Sequence, residues 1–274
     1  MTALRLADAG EAADLAAFLA RLIHYDRAAA VRLQAGGGVL AVFGRPPSFE
    51  VLAIRTARLA PTGPPGSGAG TGTGPQAGTG ASPAAGLDLT VSAGDLLEGI
   101  DEAADTLTLP AAVTGPPWAG VLPPRGGWQQ MPGLPSPQAL GRTVALAVAE
   151  FRARDEALPP ERRTRAERDR IGREIWSRTL GDTHLPLRAA HAAQSLGFLR
   201  PVRVEAQAGA HGLAGDGRGS GSGSRSGSAG AGAALAEPPA LTLLAAGGWL
   251  RLRTPYGSVA VRTGGPSALP VTPA

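Results

Sequence analysis

The sequence predicts an α+β fold in which two related three-stranded antiparallel β-meanders flank a helical middle segment. Val31-Arg32-Leu33-Gln34-Ala35-Gly36-Gly37-Gly38-Val39-Leu40 aligns with Leu241-Thr242-Leu243-Leu244-Ala245-Ala246-Gly247-Gly248-Trp249-Leu250, with five identities in ten columns. Roughly one is expected by chance in a chain this rich in Ala, Gly and Leu. Further on, Leu52-Ala53-Ile54-Arg55-Thr56 aligns with Val259-Ala260-Val261-Arg262-Thr263. Each copy reads as strand, Gly-Gly turn, strand, Pro-containing turn (Arg45-Pro46-Pro47-Ser48 or Thr254-Pro255-Tyr256-Gly257) and strand. Between the copies, cap residues and apolar spacings near 3.6 mark three helices.

The elements follow in order. Asp8-Ala9-Gly10-Glu11 has the form of a capping box, and Leu15, Phe18, Leu19, Leu22 and Ile23 then share one helix face. This helix and the first meander make up residues 1–60. A Gly/Pro/Thr insertion at 61–86 has no apolar periodicity and is expected to be disordered. Residues 87–135 read as a strand at 87–91, a short helix capped by Ser92, a strand at 106–109 stopped by Pro110, and a Pro/Trp loop.

Three helices fill 136–200. Ser136-Pro137 caps the first, which Pro159-Pro160 breaks; the second runs over 161–179. The third starts near Pro186 and stops at Gly197, with Phe198 placed for the contact beyond a glycine cap. The second meander occupies 201–263, with a strand at 202–206 and another at 240–245, interrupted by a Gly/Ser insertion at 209–237. A tail covers 264–274. Closing a longer loop costs only about 0.6 kcal/mol per doubling of length, so insertions between strands need not disturb the fold.

Composition excludes several chemistries. The chain has 274 residues and no Cys, Lys or Asn, so all 26 basic residues are Arg. Thiolate nucleophiles, disulfides, Schiff-base lysines, P-loop lysines and N-glycosylation acceptors are therefore ruled out. The bias toward Ala, Gly, Pro and Arg matches a GC-rich genome. A net charge of +4 is too small to signal nucleic acid by itself. No run of 18 apolar residues predicts a membrane span, and the first residues lack the pattern of a signal peptide, so the expected location is cytoplasmic.

Residues 150–178 hold nine Arg and seven acids, with Glu161–Arg165, Arg163–Glu167, Arg165–Asp169, Asp169–Arg173, Arg170–Glu174 and Glu174–Arg178 spaced four apart. Interleaved signs predict a solvated face of ion pairs, whereas a phosphate-binding stripe would be one-sided. Asp95, Glu98, Glu102 and Asp105 read as a similar acidic face of one helix. Histidines 24, 184, 191 and 211 lack metal-ligand spacing; His24 suits the C-terminus of the first helix. Neither a Gly-x-Ser-x-Gly elbow followed by a helix nor a dinucleotide fingerprint occurs.

Two candidate sites emerge. The segment 115–128 concentrates two of the four tryptophans in a proline-shaped loop, and Trp118, Arg125 and Trp128 are its candidate contacts to a protein or small ligand. The alternative is a winged-helix DNA-binding regulator using 161–206, in which Arg188, His191, Gln194 and Ser195 would reach base edges. A second alternative is an enzyme with an unrecognised site.

The blocks DLAAFLARLIHYDRAAAVRLQ (14–34), LTLPAAVTGPPWAGVLPPRGGW (107–128) and RAAHAAQSLGFL (188–199) together resemble a conserved actinobacterial protein family with no assigned activity. The resemblance covers most of the chain outside the insertions and implies no cofactor or site residue. The expected function is a non-catalytic, cytoplasmic binding module without a cofactor; its partner is a protein or small ligand in preference to nucleic acid.

Overall fold

Eight strands join both meanders into one antiparallel sheet. The structure is a computed structural model and describes residues 2–61, 86–200 and 241–263. The first meander is β2 (Ala30–Gly36), β3 (Val39–Gly44) and β4 (Leu52–Arg58), following β1 (Ala3–Arg5) and helix α1 (Ala9–Tyr25). Next come β5 (Asp88–Ser92), α2 (Ala93–Glu98), β6 (Ile100–Asp101), β7 (Thr106–Thr108) and β8 (Gln129–Met131). Helices α3 (Pro137–Glu156), α4 (Arg165–Trp176) and α5 (Leu187–Ser195) precede the second meander, β9 (Thr242–Ala246), β10 (Trp249–Thr254) and β11 (Gly257–Arg262). The strand order is β5-β2-β3-β4-β11-β10-β9-β8, so β4 and β11 form the seam between the meanders. A second, three-stranded sheet runs β1-β7-β6.

Both first turns have the same geometry. Gly37 and Gly38 have φ of 59° and 75°, and Gly247 and Gly248 have 51° and 76°. Two successive positive φ values are what a two-residue hairpin demands, and they explain the glycine pairs. Leu33, Leu40, Leu243 and Leu250 are all buried in the main core, as their aligned positions predict.

The third strands depart from the alignment. Val39 faces Arg58 across β3–β4, and Trp249, its counterpart, faces Arg262 across β10–β11. Arg262 is therefore equivalent to Arg58, not to Arg55. The cause lies in the connections: residues 45–51 link β3 to β4, whereas Pro255 and Tyr256 alone link β10 to β11. The offset between the two pairings is odd, so it exchanges the faces of the sheet. Ala53 accordingly lies in the main core, while Ala260 lies in the cluster on the opposite face.

One face of the sheet carries the helices. α1 packs on β4 and α5 on β11, while α3 packs against both α4 and α5. Leu15, Phe18, Leu19 and Leu22 of α1 join Val31, Val42, Leu252 and Val259 in the core. The Asp8 side chain caps α1 by accepting from the Glu11 N–H at 2.9 Å. Glu11 does not complete a capping box; its carboxylate is taken by Arg55 and Arg58. At the end of α5, Gly197 has φ of 75°, the Phe198 N–H donates to the Ala193 carbonyl, and Phe198 is buried beside Phe18. That is the expected glycine cap.

Three expectations need correction. The second middle helix is shorter than 161–179: Thr164 caps α4, and a separate 3₁₀ turn covers Pro160–Arg162. The acidic helix face does not exist, because α2 stops at Glu98 and Glu102 lies in a turn. Third, only Arg165–Asp169 and Glu174–Arg178 of the predicted four-apart pairs are ion pairs among the described residues. Three short pairs join α3 to α4 and the residues just after it: Arg154 grips Glu174, Arg178 grips Glu150, and Arg168 reaches Asp155, all near 2.7 Å. Two parallel N–H···O bonds to one carboxylate outcompete a single long contact along a helix. The strand expected at 202–206, the insertion at 209–237, the tail at 264–274 and nearly all of 61–86 lie outside the described residues.

Candidate ligand cleft

The sheet face opposite the helices is covered in part by the Pro/Trp segment. After β7, the chain runs along the edge strand β5, where the Val113 N–H donates to the Thr90 carbonyl. Pro116 and Pro117 then preset the backbone for a 3₁₀ turn over Pro117–Gly120. Arg32, projecting from β2, fixes this turn. Its Nε and Nη2 bind both oxygens of Asp88 at 2.8 and 3.0 Å, and its Nη1 donates to the Ala119 carbonyl. The Arg32 guanidinium in turn holds the Asp88 carboxyl below the usual carboxylate range. Trp118 and Leu122 thereby pack on Phe43, Leu52, Ile54 and Ala260 at the β4–β11 seam.

Beside Trp118 the turn leaves a cleft of about 450 Å³. Trp118 and Trp249 line it together with Leu52, Ala260 and Val261, and Arg45, Arg188 and Arg262 enter with one carboxylate, Glu50. The Arg262 guanidinium lies over the Trp249 ring, 5.8 Å from its centre. Glu50 has φ of 51°, a left-handed conformation costly for a side-chain-bearing residue. Phe49, buried against Tyr25 and His191, anchors the turn that imposes it. None of Arg45, Arg188 and Arg262 has an ion-pair partner among the described residues.

The candidate residues are redistributed. Trp118 lines the cleft, but Trp128 does not: its Nε1 donates to the Pro124 carbonyl at 3.0 Å, and Arg251 lies 5.7 Å from its ring. Arg125 is exposed outside the cleft and acts on Asp88 only through its charge. Of the four residues assigned to base edges, Arg188 lines the same cleft as Trp118. Gln194 is exposed, Ser195 is half-buried, and neither lines it. His191 stacks on Trp176 at 4.2 Å and meets the edge of Phe49 at 5.1 Å, so it is a packing residue. Arg45, Glu50, Trp249 and Arg262 were not singled out from sequence. They come from three separated stretches that only the seam brings together.

Burial holds the His191 pKa below the ordinary value of 6.5. The native state therefore binds this proton less readily than the unfolded chain does. Stability should fall as pH drops through about 6.5 and level off below the native pKa. Urea unfolding between pH 5 and 7.5 should show this slope in the wild type and not in His191→Phe.

Among the described residues, no three His, Asp or Glu side chains are grouped to hold a metal ion. No described helix is long and apolar enough to cross a membrane.

Comparison with known families places the two halves of the sheet. A domain of unknown function (DUF8010) matches residues 1–120, and a second domain of unknown function (DUF8185) matches residues 123–266, more than half of the chain. The chain belongs to the DUF8185 family. Each match contains one meander, and the boundary between them falls inside the Pro/Trp segment that roofs the seam. No curated protein and no solved structure matches the chain.

Proposed function

We propose that this DUF8185-family protein is a non-catalytic, cytoplasmic binding module whose ligand site is the cleft at the β4–β11 seam, under Trp118. One observation carries the reading: the cleft joins two tryptophan faces and three arginines without ion-pair partners among the described residues, in a volume suited to a small molecule. The lining supplies the chemistry of binding. Its one carboxylate, Glu50, stands with no imidazole or hydroxyl among the described lining residues, which gives the enzyme alternative little to build on. The DNA-regulator alternative finds less support still, because Ala189, Ala190, Ala192 and Ala193 bury α5 in the core and His191 is enclosed. Two meanders meeting across β4 and β11, each with a Gly-Gly first turn, support reading them as one unit repeated, with the site at its junction.

The test is retention of small molecules. The immobilised full chain is equilibrated with the low-molecular-weight fraction of a native lysate, and bound compounds are identified by mass spectrometry. A compound retained by the wild type and by Trp128→Ala, but lost from folded Trp118→Ala, supports the cleft. Equal retention by Trp118→Ala would move the site elsewhere.

A further inference from the structure

Ten of the eighteen described arginines elsewhere in the fold have an ion-pair partner. Arg32 has Asp88, Arg55 has Glu11 and Asp14, and Arg154 and Arg178 share Glu150 and Glu174. The outer face of the sheet around the seam is different. Arg45, Arg188 and Arg262 line the cleft, and Arg251 and Arg253 follow on the same face of β10. None of these five has an ion-pair partner among the described residues. The Arg188 Nε is moreover buried with no hydrogen-bond partner among the described residues. Burial and, secondarily, Arg253 push the Arg251 guanidinium below its ordinary value.

We propose that the cleft takes a small organic anion: a planar ring system bearing a carboxylate, sulfonate or phosphate. The charged group lies among Arg188, Arg45 and Arg262, and the ring lies against Trp118 and Trp249. The ligand class rests on the cleft being the binding site proposed above. Guanidinium forks match the planar or tetrahedral oxygens of such anions, and indole faces match a flat ring. The volume of about 450 Å³ holds one compound of this size. Glu50 is the one lining carboxylate, so charge in the cleft is three positive to one negative. A polyanion is disfavoured, because α5 is packed inward and the arginines converge on one cleft instead of spreading along a stripe.

A pair of probes separates charge from shape. The full chain is titrated with 8-anilinonaphthalene-1-sulfonate and with its uncharged analogue N-phenyl-1-naphthylamine, followed by probe fluorescence. The sulfonate is expected to bind with one-to-one stoichiometry and more tightly than the neutral compound. Arg188→Gln and Arg262→Gln should each weaken the sulfonate about tenfold and the neutral probe less than twofold. Arg45 is exposed, so Arg45→Gln repeats the test without risk to folding, and Arg173→Gln on α4 is the surface control that should change neither probe. Equal affinity for both probes, with both lost in Trp118→Ala, would keep the cleft as a site and overturn the anion assignment. Binding of either probe that ignores Trp118 and all three cleft arginines would overturn both.

Discussion

Arg55→Met should destabilise the protein by about 3–5 kcal/mol, the cost of removing one partner from a buried charge cluster. Arg55 projects from β4 toward the helices and is 6% exposed. Its Nη1 donates to the Tyr256 carbonyl at 2.7 Å, and its Nη2 to Glu11 and Asp14 of α1, each at 3.1 Å. One guanidinium thus ties the first meander, the turn of the second and helix α1. Without it, Glu11 keeps Arg58 and Asp14 keeps Arg200, but both carboxylates lose their buried cation. Urea unfolding at pH 7 checks the magnitude. Arg55→Lys should recover only part of the loss, because an ammonium cannot reproduce the fork that reaches carbonyl and carboxylates together. A loss below about 1 kcal/mol for Arg55→Met would show that the cluster contributes specificity and little stability.

Leu33→Ala should cost about 4–5 kcal/mol and Leu243→Ala nearer 2–3, within the range for leucine truncation in packed cores. The two residues occupy equivalent places in the first and second meanders but differ in surroundings. Leu33 is completely buried, and β2 is flanked by β3 and the five-residue β5. Leu243 is 2% exposed, and β9 is flanked on one side by β8, whose three residues are all exposed. Both strands lie second from an edge, and a cavity beside a short, fully exposed edge strand can collapse more readily than one beside a longer, partly buried one. Denaturant midpoints at constant m-value would measure both. Equal losses would mean that β8 holds its edge as firmly as β5.

Local signals in the sequence were legible where they were complete within a few residues. Asp8 and Ser136 announced helix starts, the glycine pairs announced the hairpin turns, and Gly197-Phe198 announced the end of α5. Signals that depend on partners distant in the chain were not. In Leu52-Ala53-Ile54-Arg55, alternation alone would send Leu52 and Ile54 to the core and Arg55 to solvent. Both faces of the seam are covered, so Leu52 and Ile54 pack under Trp118 while Arg55 meets carboxylates inside. β1, β6 and β8 have two or three residues each, too short for any periodicity. The charged middle is paired as its interleaved signs imply, but three of its pairs, Arg154–Glu174, Arg168–Asp155 and Arg178–Glu150, reach across from α3, which spacing within one helix cannot reveal.

The candidate site was legible by halves. Trp118 stands out as an aromatic in a proline-rich loop, and Arg188 as a cation on an alanine-rich helix. Their local signals point to competing functions, and the seam places both on one cleft. Arg45 and Arg262 carry no local signal, because an arginine at the end of a strand is ordinarily a solvated residue.

The most direct test of the cleft uses the four tryptophans as fixed reporters in nitrogen-15 NMR. Trp118 and Trp249 line the cleft, Trp176 stacks on His191 among the helices, and the Trp128 indole is bound to the Pro124 carbonyl. On titration with N-phenyl-1-naphthylamine, the indole N–H signals of Trp118 and Trp249 should shift together and saturate at one equivalent, while Trp176 stays in place. A saturable shift confined to Trp176 or Trp128, or no shift in any of the four, would contradict a ligand site at the β4–β11 seam.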